Sequence, residues 1–258
     1  VKCFNQIAIN FPSLKQQGSS VLITGTNGNG KSTILQLLAL GLTGLHRPPV
    51  AYGWTDVIKS KEEEAGFSIL LDAYGDAYSF DFDIDLHDRI SCNTHHDYYN
   101  ALLSKIFILG YGTGRKRYAT KGSQYRSFEP IASLFGDNSF LKTMNDERTS
   151  NYVTEQFTQI KVIINQILKG ADDHSSIQLS GYVGKVFYFE TPTGKASVYS
   201  MSDGFQTIFA WIFDMLIRLI EAAYNIEKLH EIYGVVLIDE LDMRLNLSWQ
   251  RNFLPILE

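Results

Sequence analysis

Apolar positions recur along the chain with two different periods, and the changes from one to the other predict its elements. Residues 4–11 alternate apolar and polar, with slips, around Phe4, Ile7, Ile9 and Phe11, which predicts an edge strand followed by a turn over 15–20. Val21, Leu22 and Ile23 form a short β-prone run, and Ile34, Leu35, Leu37 and Leu38 follow at helical spacing. A strand therefore passes through a glycine-rich loop into a helix that ends near 42–44. The β-prone runs 67–73 and 78–84 meet at Gly75 and Asp76, and Phe80, Phe82 and Ile84 repeat every second residue, so this stretch predicts a β-hairpin. Residues 102–109 read as a buried strand or the end of a helix.

Farther along, Val153, Phe157, Ile160, Ile164, Ile167 and Leu168 lie close to a 3.6-residue period with Gly170 as a stop, an amphipathic helix over 152–168. The runs 183–190 and 196–201 flank Thr191, Pro192, Thr193, Gly194 and Lys195, a turn-rich link that predicts a second hairpin. The most apolar window, 205–220, is interrupted by Asp214 and Arg218 and is shorter than a membrane span, so it reads as a buried helix. Val235, Val236, Leu237 and Ile238 form a buried-type strand that ends in Asp239 and Glu240. Strands and helices interleave in an α/β order, without an internal repeat, as one domain in three parts: a loop-and-hairpin lobe over 1–90, a helical insertion over 91–180 and a C-terminal lobe over 181–258.

Composition narrows the class. With 258 residues, 45% of them hydrophobic, the chain can bury a sizeable core. A net charge of −5 argues against a uniformly basic nucleic-acid binder. Charge is nonetheless uneven: Arg115, Lys116, Arg117, Lys121 and Arg126 lie together with Tyr118 and Tyr125 between them, a pattern that suits phosphates or bases and equally a solvated loop. Asp81, Asp83 and Asp85 occupy the wet side of an alternating strand, and His87, His95, His96 and Asp97 lack metal-ligand spacing. Cys3 and Cys92 are too few for a disulfide framework, which points to the cytoplasm. The first residue is Val rather than Met, from which a trimmed N-terminus is expected.

The chemistry concentrates in two segments. Gly25 to Ser32 fits GxxxxGK[ST], set between a β-prone run and a helix, the P-loop arrangement. Its glycines let backbone N–H groups of Asn27, Gly28, Asn29 and Gly30 turn inward around phosphate oxygens, and the helix opening with Lys31, Ser32 and Thr33 aims its positive dipole end at the same place. Lys31 is expected to reach the β- and γ-phosphates of ATP, and Ser32 to ligate Mg²⁺. Asp239 stands where an α/β sheet presents its ligand-binding edge and is the candidate for holding Mg²⁺, directly or through water. Glu240 is the candidate base for the attacking water.

Ser200, Met201, Ser202, Asp203, Gly204, Phe205 and Gln206 lie between the second hairpin and the long apolar helix. This run looks like the signature motif of ABC-type ATPases. With the strand ending in Ile238, Asp239, Glu240, Leu241 and Asp242, most of the chain resembles the SMC/RecF/RecN-like ATPases, in the branch typified by ATPase subunits of bacterial anti-phage systems such as Septu. The resemblance implies an ABC/SMC-like head with a mixed sheet, antiparallel hairpins and a helical lid. It also implies a head-to-tail homodimer in which Ser202 and Gly204 touch the γ-phosphate held by the partner. Taken by themselves, Ser202, Asp203 and Gly204 are also a good turn and helix cap.

Tyr111, Gly112, Thr113, Gly114 and Arg115 match a YGxxR-like element of that branch, which makes Arg115 a candidate nucleotide-sensing or interface residue. Arg244, Leu245, Asn246 and Leu247 depart from the family's HLHP run, whereas Trp249 and Gln250 keep its WQ; Asn246 stands where relatives carry Asp or His. No glutamine fits the family's Q-loop, and the chain stops at Glu258, ahead of the family's switch histidine, so either the chain is truncated or those functions come from elsewhere. The function so implied is an ATP-gated dimeric switch acting on DNA or on a soluble effector nuclease in anti-phage defence. A transporter's nucleotide-binding subunit, a DNA-repair ATPase and a nucleotide-dependent structural module are the alternatives. The chain holds no nuclease constellation of its own, so any cutting would belong to a partner.

Overall fold

A computed structural model of the chain describes residues 8–9, 20–43, 64–73, 76–85, 90–92, 106–112, 130–135, 147–171, 176–223 and 234–240. In chain order these contain α1 (Lys31–Thr43), the strands β1 (Glu64–Ala73), β2 (Asp76–Asp85), β3 (Ile90–Cys92) and β4 (Phe107–Tyr111), and a 3-10 turn, Ala132–Phe135. There follow α2 (Glu147–Ala171), the strands β5 (Gln178–Val183), β6 (Val186–Thr191) and β7 (Gly194–Ser197), a second 3-10 turn (Val198–Ser200), α3 (Asp203–Ala223) and β8 (Gly234–Ile238). The fold is mixed α/β. Two antiparallel sheets, β1-β2-β3 and β5-β6-β7, accompany a parallel pair, β4-β8.

The parallel pair joins two hydrophobic cores, because alternate residues of each strand face opposite ways. Ile108 and Leu237 enter a core with Leu37 and Leu40 of α1 and with Phe80, Phe82 and Ile84 of β2. There the alternation read from sequence holds: Phe80, Phe82 and Ile84 are buried, and Asp81 and Asp83 are exposed. Leu109 and Tyr111 enter the other core, built from α2, β5, β6 and α3. Its centre is aromatic, with Phe187 packing edge-on against Phe209 and Phe213 at 5.1 and 5.2 Å between centroids. Such pairs add about 0.5–1.5 kcal/mol beyond the area they bury. α2 buries Val153, Ile160, Ile164 and Leu168, all at the helical period. It is tied to β5 through Asn165, whose Oδ1 accepts the Leu179 N–H at 2.7 Å and whose Nδ2 donates to the Leu179 carbonyl at 3.1 Å.

Three expectations need correction. Val21, Leu22 and Ile23 form no strand; Val21 is 42% and Leu22 66% exposed. Among the described residues no strand pairs with this run, and β-propensity without a ladder to satisfy the backbone leaves it irregular. The second hairpin is a three-stranded sheet: Val183 ends β5 rather than opening a strand, and Gly184 and Lys185 turn the chain with φ of 59° and 64°, the left-handed geometry of tight hairpin turns. Residues 198–200, expected in a strand, form a 3-10 turn that delivers Ser202 to the start of α3. Of the expected edge strand over 4–11, Ala8 and Ile9 are described and lie outside any strand; its other residues fall outside the described set. Among the described residues no helix is long and apolar enough to cross a membrane.

Candidate functional site

Gly28 and Gly30 adopt φ of 83° and 78°, backbone that glycine reaches without penalty, and the loop closes on a 3.4 Å bond from the Asn29 N–H to the Thr26 carbonyl. α1 starts immediately afterwards, its first bond running from the Ile34 N–H to the Gly30 carbonyl at 3.0 Å. The first turn of α1 carries Lys31 and no acid, so its positive end is not offset by its own side chains. Lys31 curls over the loop, its Nζ donating to the Gly25 and Thr26 carbonyls at 2.7 and 2.9 Å. Phosphate oxygens are stronger acceptors for an ammonium than these carbonyls, so the loop is arranged to exchange one set for the other. Asn27, Gly28 and Asn29 are exposed, and Gly30 and Thr33 are half-buried.

The parallel ladder ends at Tyr111 opposite Ile238 and continues one step beyond, where the Asp239 N–H donates to the Tyr111 carbonyl at 2.7 Å. That bond holds Asp239 at the C-terminal edge of the strands. Its carboxylate, on a residue 8% exposed, accepts the Ser32 hydroxyl at 2.6 Å across 207 residues of sequence. The structure thus joins the start of α1 to the end of β8 through the two residues expected to share a cation. An alcohol and a carboxylate are hard oxygen donors, the kind Mg²⁺ takes alongside water and substrate phosphates, so the pair fits that ion. Glu240 is exposed and adopts φ of 47°. A left-handed backbone costs a non-glycine residue about 1–2 kcal/mol, and this one lies directly after the buried acid.

At the other motif, Ser202 caps α3. Its Oγ accepts the Phe205 N–H at 3.3 Å and its carbonyl accepts the Gln206 N–H at 2.9 Å, while Asp203 places an acid in the first turn. The Gln206 side chain folds back, donating to the Met201 and Tyr199 carbonyls at 2.8 and 3.2 Å. Ser202 is exposed and Gly204 half-buried. Arg115, the basic stretch over 115–126, His87, His95, His96, Asp97, Asn246, Trp249 and Gln250 lie outside the described residues.

Sequence reasoning missed a polar network in the second core. Tyr111 donates its hydroxyl to Asp214 Oδ2 at 2.7 Å, and the Arg218 Nε meets both Asp214 oxygens at 3.1 and 3.0 Å. Asp214 is 1% and Arg218 7% exposed. The available signal was an acid and a base four apart in an otherwise apolar helix, a spacing that puts them on one face. Beside the same strand, Ser133 accepts the Gly112 N–H at 2.9 Å and donates to the Gly110 carbonyl at 2.8 Å. A Cβ on Gly112 would run into the Ser133 carbonyl, which explains the glycine after Tyr111.

Residues 20–258 match the protein family described as "AAA domain, putative AbiEii toxin, Type IV TA system". The Septu protein PtuA of Bacillus mycoides (strain KBAB4) is 25% identical over 268 residues, covering 96% of this chain and 33% of that protein. The "Retron Vc95 probable ATPase" of Vibrio cholerae serotype O1 biovar El Tor is 27% identical over 130 residues, which is 50% of this chain and 25% of that protein. The "Retron Ec83 probable ATPase" of Escherichia coli is 44% identical over 62 residues, 24% of this chain and 11% of the relative. The matched part of this chain thus spans a third or less of the length of each relative.

Proposed function

The chain belongs to this AAA-domain family, and from that premise we propose that it binds ATP with Mg²⁺, hydrolyses it in a head-to-tail homodimer, and so works as a nucleotide-gated switch in anti-phage defence. The observation that carries the reading is the 2.6 Å bond between Ser32 and Asp239, which brings the phosphate loop to the acidic strand end. In this reading the amides from Asn27 to Thr33 and the Lys31 ammonium hold the phosphates. Ser32 and Asp239 hold Mg²⁺, which when bound neutralises phosphate charge. Glu240 orients and deprotonates the attacking water. Ser202 and Gly204 serve the partner's γ-phosphate, and Arg115 senses nucleotide or the interface. The names of the relatives, a Septu protein and two probable retron ATPases, support the defence role. A soluble effector such as a nuclease, and nucleic acid, are the partners proposed with it.

Glu240→Gln tests the assignment. ATP affinity should stay within about twofold while turnover falls by about 10²–10⁴-fold, the usual worth of a general base. Sedimentation in ATP should then show an accumulated dimer. Unchanged phosphate release would remove Glu240 from this role, and an ATP-independent monomer would remove the dimer.

A further inference from the structure

Tyr111 bonds two elements at once. Its carbonyl takes the Asp239 N–H at 2.7 Å, and its hydroxyl gives to Asp214 of α3 at 2.7 Å. α3 is the helix whose first turn Ser202 caps, and Asp214 lies about three turns into it. We propose that Tyr111 is a positioning residue that couples the Ser202 end of α3 to the Asp239–Glu240 strand end, so that engagement of one sets the geometry of the other. The proposal rests on the ATPase reading of this site and names how that site is regulated.

Three features suit this network to transmission rather than to packing alone. First, a buried acid and base stabilise a helix no better than apolar side chains of similar volume, so Asp214 and Arg218 gain little as filler. What they provide is direction: Arg218 holds both carboxylate oxygens, which leaves Oδ2 fixed toward the Tyr111 hydroxyl. Second, Tyr111 is restrained on each side. Its ring meets Trp211 of the same helix edge-on, at 5.4 Å and 90°, and its strand is clamped by Ser133 bonds to Gly110 and Gly112 and by the Gly110 N–H donating to the Pro130 carbonyl at 2.8 Å. A displacement of α3 therefore cannot be absorbed by sliding the tyrosine along its strand. Third, the receiving end is close: the residue after Asp239 is Glu240, whose left-handed backbone makes its placement sensitive to the turn it belongs to.

Tyr111→Phe removes one oxygen and keeps the ring. The expected result is kcat lowered about tenfold, in the range of coupling through packed networks, with ATP affinity within about twofold of the parent. A double-mutant cycle supplies the readout that a structural role would not move. Ser202→Ala should lower kcat in the parent and add nothing further in the Tyr111→Phe background. Equal kcat in Tyr111→Phe and parent, or effects of the two substitutions that multiply, would overturn the coupling. Arg218→Lys, which keeps the charge but removes the Nε–H that Asp214 shares between its two oxygens, provides a second route should the phenylalanine variant not fold; it should show the same kcat-selective loss, and parental kcat there overturns the proposal. A parent protein that turns over no ATP overturns the ATPase reading and the coupling with it, whereas an active parent matched by its variants overturns the coupling alone.

Discussion

At the start of α1, the Ser32 hydroxyl donates a hydrogen bond to Asp239, 207 residues away, whereas at the start of α3 Ser202 keeps its oxygen for the Phe205 N–H of its own first turn. The first helix opens with a lysine and no acid, the second with Asp203. Both helix starts carry backbone N–H groups that no preceding turn of the helix can pair, and both attract anions through the same dipole. Sequence chemistry makes them unequal. α1 leaves its positive end for something outside the helix, while α3 answers its own with a cap and a carboxylate. An anion meeting α3 must displace a 3.3 Å cap bond and approach Asp203. Nucleotide affinity should therefore reside in the α1 end, and the α3 end should act on turnover once a phosphate is already held.

Lys31→Ala strikes this asymmetry hardest. Hydrogen bonds to charged groups are worth about 1.5–3 kcal/mol each, so losing the ammonium should weaken a non-hydrolysable ATP analogue by about a hundredfold in calorimetry. Retained tight binding would mean that the loop is not the seat of affinity. Ser32→Ala comes next. It takes a donor from the buried Asp239 carboxylate and an oxygen from the proposed ion, and the affinity gained on adding Mg²⁺ should shrink by about tenfold. The measurement is analogue binding with Mg²⁺ against binding in chelator. An unchanged Mg²⁺ dependence would leave Ser32 as a structural partner of Asp239 only.

The same asymmetry governs what could be read from sequence. The loop was legible because eight consecutive residues carry the whole requirement: glycines where φ turns positive, then Lys31 and Ser32 at the helix start. Asp239 was legible because an apolar strand ends on it. α2 and β2 followed from their periods, since each buries one face. Val21, Leu22 and Ile23 misled because strand propensity has little force by itself, and among the described residues no ladder runs beside them. Tyr111 and Asp214 could not be joined from sequence at all: they stand 103 residues apart, and no periodicity encodes which strand end meets which helix. Ser202 was legible in two ways at once, as cap and as signature, because a hydroxyl that satisfies its own helix uses the same residue types as one offered to a phosphate.

Substitution at Ser202 can separate those two roles, and it carries the smallest effect on the folded protein. Removing an N-cap oxygen costs about 1 kcal/mol, and the 3.3 Å length of this bond puts Ser202→Ala at the low end of the range. A melting shift of about 1–2 °C is then expected for a chain of this size. Aspartate caps as well as serine does, so Ser202→Asp should melt with the parent. Its second carboxylate beside Asp203 nevertheless sets a fixed negative charge where the partner's γ-phosphate is proposed to arrive, and like charges brought together there oppose docking. If Ser202 only caps, alanine lowers the melting point and aspartate changes nothing. If it also serves the partner's nucleotide, aspartate keeps the melting point and abolishes ATP-driven dimerisation, with ATP affinity at the α1 end unchanged. Sedimentation of the two variants with and without ATP, alongside their melting curves, decides between these outcomes.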